Sequence, residues 1–215
     1  MMSGVFEYKG VKVERLVHAA FRIEGAGLVI YIDPFQLRAA PRDGDIIICT
    51  HDHYDHCSPD DIRKVAKLDA VVVAPSNCAG KIRGLGLQYK ELNPGDEAEV
   101  KGVRIKAVPA YNVNKRFHPK DYGGIGVILE VAGVRIYHAG DTDYIPEMKG
   151  LGSVDVALLP VSGTYVMTPE EAAKAAEDIK PKVAIPMHYG AIVGDERDAE
   201  RFKRILEGKI EVVIV

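Results

Sequence analysis

Short runs of β-branched and apolar residues, bounded by glycine, proline and charge, recur along the chain. They fall at Val11 to Val17, Leu28 to Ile32, Ile46 to Cys49, Ala70 to Val73, Val103 to Val108, Ile125 to Val131, Val134 to Tyr137, Val154 to Leu159, Val183 to Ile185 and Ile210 to Val215. Each run reads as a strand, which predicts about ten of them. Helix starts are legible between some of the runs. Ser58-Pro59-Asp60-Asp61 and Thr168-Pro169-Glu170-Glu171 each place a hydroxyl at the N-cap, proline at the first helical position and an acid at the third. The first helix is expected to run to about Leu68, the second, "PEEAAKAAEDIK", to stop before Pro181, and a third to span Asp195 to Glu207. Helices thus follow strands early and late while the middle is hairpin-like, a pattern that predicts sheets covered by helices on their outer faces. The order of strand, metal-type residues and capped helix occurs in the first and last thirds, which hints at two related halves.

Composition sets limits on this picture. A chain of 215 residues with 47% hydrophobic content can build one sizeable core, and no linker or low-complexity stretch divides it. The expectation is one domain over residues 1–215. A net charge of −3 and the lack of a Lys/Arg stripe argue against nucleic acid as an obligatory partner. No window approaches the ~18 apolar residues of a membrane span, and the first ten residues carry no signal-like core, so a cytoplasmic protein is expected. Cys49, Cys57 and Cys78 form an odd set without CxxC spacing, which reads as reduced, structural thiols.

Chemistry concentrates in "THDHYDHCSP", Thr50 to Pro59, where three of the seven histidines fall within six residues directly after an apolar run. A solvated loop has no reason to prefer neutral imidazoles over Lys, Glu or Ser. Residues two apart on an extended strand end point the same way, so His51 and His53 can pinch one cation. Asp55 and His56, at the turn into the capped helix, can face a second. Nitrogen and carboxylate ligands without thiolate suit Zn²⁺, Mn²⁺ or Fe²⁺. Two later strand ends add candidates: "HAGDTD" after "VRIY" and "MHYG" after "VAIP". A carboxylate such as Asp141 can bridge two cations ~3.5–4 Å apart, and His188 can complete the second.

With these segments in place the sequence resembles the metallo-β-lactamase superfamily, and within it the short single-domain hydrolases around ascorbate-6-phosphate lactonase. The resemblance rests on "VHAAFRIEG", "YIDPF", "THDHYDH", "YHAGDTD" and "MHYG", in that order over nearly the whole chain. It implies a four-layer αββα sandwich of the α/β class with a metal site at one edge. By carry-over it implies two divalent ions, zinc foremost, with His51 and His53 on the first, Asp55, His56 and His188 on the second, and Asp141 bridging. Asp33 of "YIDPF" would hold a ligand histidine in its tautomer, and His138 and His18 would support the site from behind. Many members supply a further first-metal histidine after the strand that corresponds to "RIKAVPA"; this chain reads Tyr111-Asn112 there. His118 is the nearest substitute, and three roles are open to it: ligand, substrate contact or proton donor, and surface histidine.

The reaction implied is hydrolysis, with a metal-bound hydroxide attacking an ester, lactone, amide or phosphodiester and Asp55 orienting it. Tyr111, Asn112, Lys115 and Arg116, with His118, lie on the loop placed to recognise a small-molecule substrate, and the two cations suit an anionic one. Lactonase-like relatives often assemble, which suggests a homo-oligomer. Two alternatives stand beside the hydrolase: a metal-stabilised scaffold or sensor, and a small nuclease or phosphodiesterase of the same superfamily.

Overall fold

Both faces of the central strands are apolar, and the chain resolves this by stacking two sheets and covering each outer face. The computed structural model describes residues 4–215; the first three residues of the expected 1–215 span lie outside the described residues. The first sheet is built from β1 (Val5–Tyr8), β2 (Val11–Val17), β3 (Ala20–Gly25), β4 (Leu28–Ile32), β5 (Gly44–Ile48), β6 (Ala66–Ala74) and β7 (Gln88–Glu91). The second is built from β8 (Glu97–Val100), β9 (Val103–Pro109), β10 (Ile125–Val131), β11 (Val134–His138), β12 (Val156–Pro160), β13 (Val183–Met187) and β14 (Glu211–Val212). Helices α1 (Pro59–Val65) and α2 (Ala79–Ile82) follow strands of the first sheet, and α3 (Pro169–Ile179) and α4 (Glu196–Ile205) follow strands of the second. The result is a layered αββα sandwich. Ile46 and Ile48 join the core shared by the two sheets, whereas Ile47 and Cys49 pack with Ile62 and Val65 of α1 and Ile82 of α2. Alternation along one strand therefore feeds two layers.

The two sheets repeat one plan. In each, strands pair in chain order, with three antiparallel pairings followed by three parallel ones. The helix after the fifth strand of each half starts on a hydroxyl cap and proline: Ser58 Oγ accepts from the Asp61 amide, and Thr168 with Glu171 forms a reciprocal capping box. The hint of two related halves is thus visible in topology. Parallel strands discharge their chains at one edge, where strand-built sites collect side chains. His18 follows β2, Asp33 follows β4, the His51–His56 segment follows β5, Asp141 lies just past β11 and His188 follows β13.

Fourteen strands among the described residues exceed the ten expected, and the difference has a physical reason. In β3 (AFRIEG) the outward residues are Arg22, which pairs with Asp43, and Glu24, so charge interrupts the apolar run. Sheet edges β7 (QYKE) and β8 (EAEV) carry charge, as edge strands do. Helix α1 ends at Val65, short of Leu68, because Ala66 turns extended and opens β6.

Candidate metal centre

All seven histidines gather at this edge, and six of them point ring nitrogens at one another or at carboxylates. Their order starts from Asp33, which is fully buried. Asp33 accepts the Thr50 amide (2.8 Å) and the Thr50 hydroxyl (2.8 Å), and lies 2.7 Å from His56 Nδ1. The Thr50 hydroxyl spends its one proton on Asp33, so toward His51 Nδ1, 3.0 Å away, it can only accept. In their neutral forms both His51 and His56 are thereby held with the proton on Nδ1 and the Nε2 lone pair facing inward. Asp33 thus sets two tautomers, one directly and one through Thr50. Thr50 was passed over in the sequence because threonine after a strand is unremarkable.

Around the resulting centre, ligand-type atoms fall into three groups, each within 4.8 Å of one another: His51, His53 and His118; His18, Asp55, His56 and His188; and His51, His56 and Asp141. His51 Nε2 lies 3.0 Å from His53 Nδ1, which lies 3.1 Å from His118 Nε2. Asp141 sits between the groups, with Oδ2 3.1 Å from His188 Nε2 and 3.6 Å from His118 Nε2, and Oδ1 3.4 Å from His56 Nε2. Asp55 Oδ2 is 3.4 Å from His18 Nε2 and 3.3 Å from His56 Nε2. Ser162 Oγ, another residue the sequence did not flag, braces His188 at Nδ1 (3.0 Å). The side-chain amide of Asn112 braces His118 at Nδ1 (3.3 Å).

Two supporting residues take different places. His138 accepts the Gly140 amide at Nδ1 (3.1 Å) and meets the Ala19 carbonyl at Nε2 (3.0 Å), so both nitrogens are used and it ties the His18 and Asp141 segments together from behind. His18 is not behind the cluster but in it. Fully buried, it packs tilted against His188, with ring centroids 3.9 Å apart and planes at 44°, and makes no hydrogen bond through either nitrogen. The backbone adds a signature of its own: His18, Asp33, His118 and His188 all hold φ between +49° and +60°. Non-glycine residues avoid this left-handed region, and such strain clusters at functional sites.

Three carboxylates, Asp33, Asp55 and Asp141, share this edge, and no lysine or arginine is among the residues that line its cavity. The electrostatic response shows the deficit. Burial opposes ionisation of Asp141, but the neighbouring His188 and His56 outweigh it and hold the carboxyl well below its usual range. Burial likewise opposes charge on His56, yet Asp141 and Asp33 pull it well above the ordinary imidazole range. His51 and His118 go the other way because burial dominates, with His118 pushed down to about 4. A fixed positive charge is what the centre lacks. The buried polar atoms left without a hydrogen-bond partner mark where: His18 Nε2, His56 Nε2 and Asp141 Oδ1 all face it.

The centre opens into a cavity of about 240 Å³ whose floor is His18, His53, Asp55, His118, Asp141 and His188. Its walls are Tyr54, Phe117, Tyr165 and Ile192. None of Tyr111, Asn112, Lys115 and Arg116 lines it, so their placement does not fit the substrate contact expected of them. Tyr111 turns its hydroxyl to Glu147 (2.9 and 3.1 Å), Asn112 donates to the Tyr165 carbonyl (2.7 Å), Lys115 is bonded to the buried Asp143, and Arg116 is exposed.

Comparison with known proteins agrees with this geometry. Residues 12–188 match the family model of the β-lactamase superfamily domain. A UPF0173 metal-dependent hydrolase from Methanopyrus kandleri is 38% identical over 224 residues, covering 95% of this chain and 96% of that protein. Its counterpart from Pyrococcus horikoshii is 39% identical over 223 residues with the same coverage. Among solved structures, Igni18, a metallo hydrolase from Ignicoccus hospitalis, matches with a TM-score of 0.79 at 28% identity, covering 95% of this chain and 94% of that one.

Proposed function

We propose a specific chemistry for a chain that belongs to the metallo-β-lactamase superfamily and is a metal-dependent hydrolase: cleavage of an ester, lactone or amide at a two-cation centre. The observation that carries it is that His18 Nε2, His56 Nε2 and Asp141 Oδ1, all buried and without a hydrogen-bond partner, belong to adjoining groups of nitrogen and oxygen donors that share His56. Buried polar atoms are seldom left unpaired, and cations held by these groups would satisfy them. His51, His53 and His118 would hold one ion and His18, Asp55, His56 and His188 the other, with Asp141 shared; nitrogen and oxygen donors suit Zn²⁺, with Mn²⁺ and Fe²⁺ the alternatives.

Divalent ions held there would supply Lewis acidity and would lower the pKa of a coordinated water from 15.7 toward 7. The chain's own residues do the rest. Asp55, 12% exposed at the cavity floor, stays ionised because His18 and His56 outweigh the burial that would neutralise it. It would orient the attacking water. His118 is neutral at working pH and fits a ligand role in place of the missing family histidine. Asp33 and Thr50 hold the His51 and His56 rings at their working angle. The donors face an open cavity rather than a closed shell, which favours catalysis over a structural metal.

The test is elemental analysis of protein loaded with each metal, beside a screen of ester, lactone, amide and phosphodiester substrates. We expect two ions per chain, one in a His188→Ala variant, and hydrolysis abolished by chelation. Protein that takes up no cation under any loading condition would refute this reading.

A further inference from the structure

The cavity walls differ in character from its floor. Tyr54, Phe117 and Ile192 are among the few large apolar side chains exposed among the described residues, at 64%, 49% and 37%. They surround the mouth together with Tyr165. Two edge-to-face pairs stiffen this rim: Phe117 on Tyr165 (centroids 4.7 Å apart) and Tyr54 on Phe35 (5.8 Å). Exposed apolar residues grouped over a polar floor mark a contact surface, whereas scattered ones need no account. The lysines near the mouth are already engaged, Lys115 with Asp143, Lys120 with Glu147, and Lys81 with the Asp52 carbonyl, and Arg116, beside Phe117, is exposed but does not line the cavity. No lysine or arginine lines the cavity. A substrate carrying a phosphate or carboxylate away from its scissile bond would find no fixed cation within the cavity to pair it.

We propose that the Tyr54, Phe117, Tyr165 and Ile192 collar selects substrates whose acyl part is an uncharged, compact aromatic or short alkyl group. This rests on the hydrolase reading above and adds to it the substrate class. The volume sets the size. An apolar cavity of ~150 Å³ accommodates benzene; one of about 240 Å³ has room for a ring or a chain of a few carbons beside the bond being cleaved. It departs from the expectation of an anionic substrate, which leaned on Lys115 and Arg116.

The experiment compares 4-nitrophenyl acetate, butyrate, benzoate and hemisuccinate on Zn²⁺- and Mn²⁺-loaded protein. The last matches butyrate in reach but ends in a carboxylate. Burying each added methylene is worth roughly fourfold, so kcat/KM should rise roughly tenfold or more from acetate to butyrate and fall back for the hemisuccinate. In Phe117→Ala the acetate rate should persist while the gain for butyrate and benzoate collapses; Phe117→Leu should retain most of it. A second readout needs no metal: saturation-transfer NMR of benzyl alcohol on metal-free protein should show contact that Phe117→Ala weakens. Equal or better turnover of the hemisuccinate, a flat chain-length series, or benzyl alcohol indifferent to Phe117→Ala would each overturn the proposal while leaving hydrolysis intact. Self-association abolished by Phe117→Ala in sedimentation would also overturn it, by making the collar an interface between copies. If no ester is cleaved by any loaded form while benzyl alcohol still binds through Phe117, the hydrolase reading falls and the apolar selectivity stands.

Discussion

Replacing Thr50 by valine keeps the shape of a fully buried side chain and deletes one oxygen. That oxygen donates to Asp33 and accepts from His51 Nδ1, so its loss strands an N–H on one side and removes a donor from a buried carboxylate on the other. A buried group left unpaired costs about 1–3 kcal/mol. Part of that cost is relieved if His51 shifts its proton to Nε2, but then the lone pair turns away from the centre. Either route is paid at the cation, and outer partners of metal-ligating histidines are worth roughly 10–100-fold in affinity. The two figures agree, since a hundredfold is about 2.7 kcal/mol. The assay is competition for Zn²⁺ between the protein and a chromophoric chelator, in wild type, Thr50→Val and Thr50→Ser. We expect about 10–100-fold weaker binding in Thr50→Val and near wild-type affinity in Thr50→Ser, which keeps the hydroxyl. A correctly folded Thr50→Val that binds Zn²⁺ as tightly as wild type would refute the argument that Asp33 sets the His51 tautomer through this hydroxyl.

Cation affinity should rise with pH: His56 is held protonated well above its usual range by Asp141 and Asp33 against its burial, so a cation must displace that proton, at about tenfold per pH unit below its folded value. A flat profile of Zn²⁺ affinity between pH 6 and 8 would contradict this. By the same shift, His56 lends the metal-free protein stability that is present below the unfolded imidazole value, ~6.5, and is lost as pH rises through the folded value; melting curves with and without Zn²⁺ separate the two effects. Gly140→Ala should destabilise by roughly 1–3 kcal/mol and displace Asp141, because Gly140 holds φ +65° and an added Cβ would lie 2.5 Å from the Ile125 carbonyl oxygen; unchanged melting and metal content would count against it. Lys115→Ala should cost about 3 kcal/mol by leaving Asp143 buried and less well paired, yet leave the preference between neutral and anionic esters unchanged; a shift in that preference would restore Lys115 to the substrate.

The centre of the site was legible because its chemistry is dense along the chain: four ligand-type residues fall between His51 and His56, and Asp141 and His188 follow apolar runs that end in strands. What supports them was not. Thr50 and Ser162 are ordinary residues whose roles come only from what folds against them. His18 lies in the first half of the chain, with no other ligand-type residue beside it, and its neighbours Asp55 and His188 reach it through the stacking of the two sheets. The collar is scattered at Tyr54, Phe117, Tyr165 and Ile192, with no period to detect. Lys115 and Arg116 stand outside the cavity lining, and a sequence shows their charge but not the buried Asp143 that engages Lys115. For the fold, strands with an apolar face on both sides announced themselves, and charged edge strands did not.

The left-handed turns at His18, Asp33, His118 and His188 bear on how such a chain would age. Each holds a conformation that L-residues reach at a cost of about 1–2 kcal/mol, endured because of where the side chain ends up. In a descendant no longer selected for its reaction, asparagine and glycine would settle first at the three histidines, whereas Asp33, which holds the Thr50 amide and hydroxyl, would stay, and the relaxed protein would melt at a higher temperature than its working ancestor. Greater heat resistance in a silent relative would then be a fossil of the chemistry it gave up.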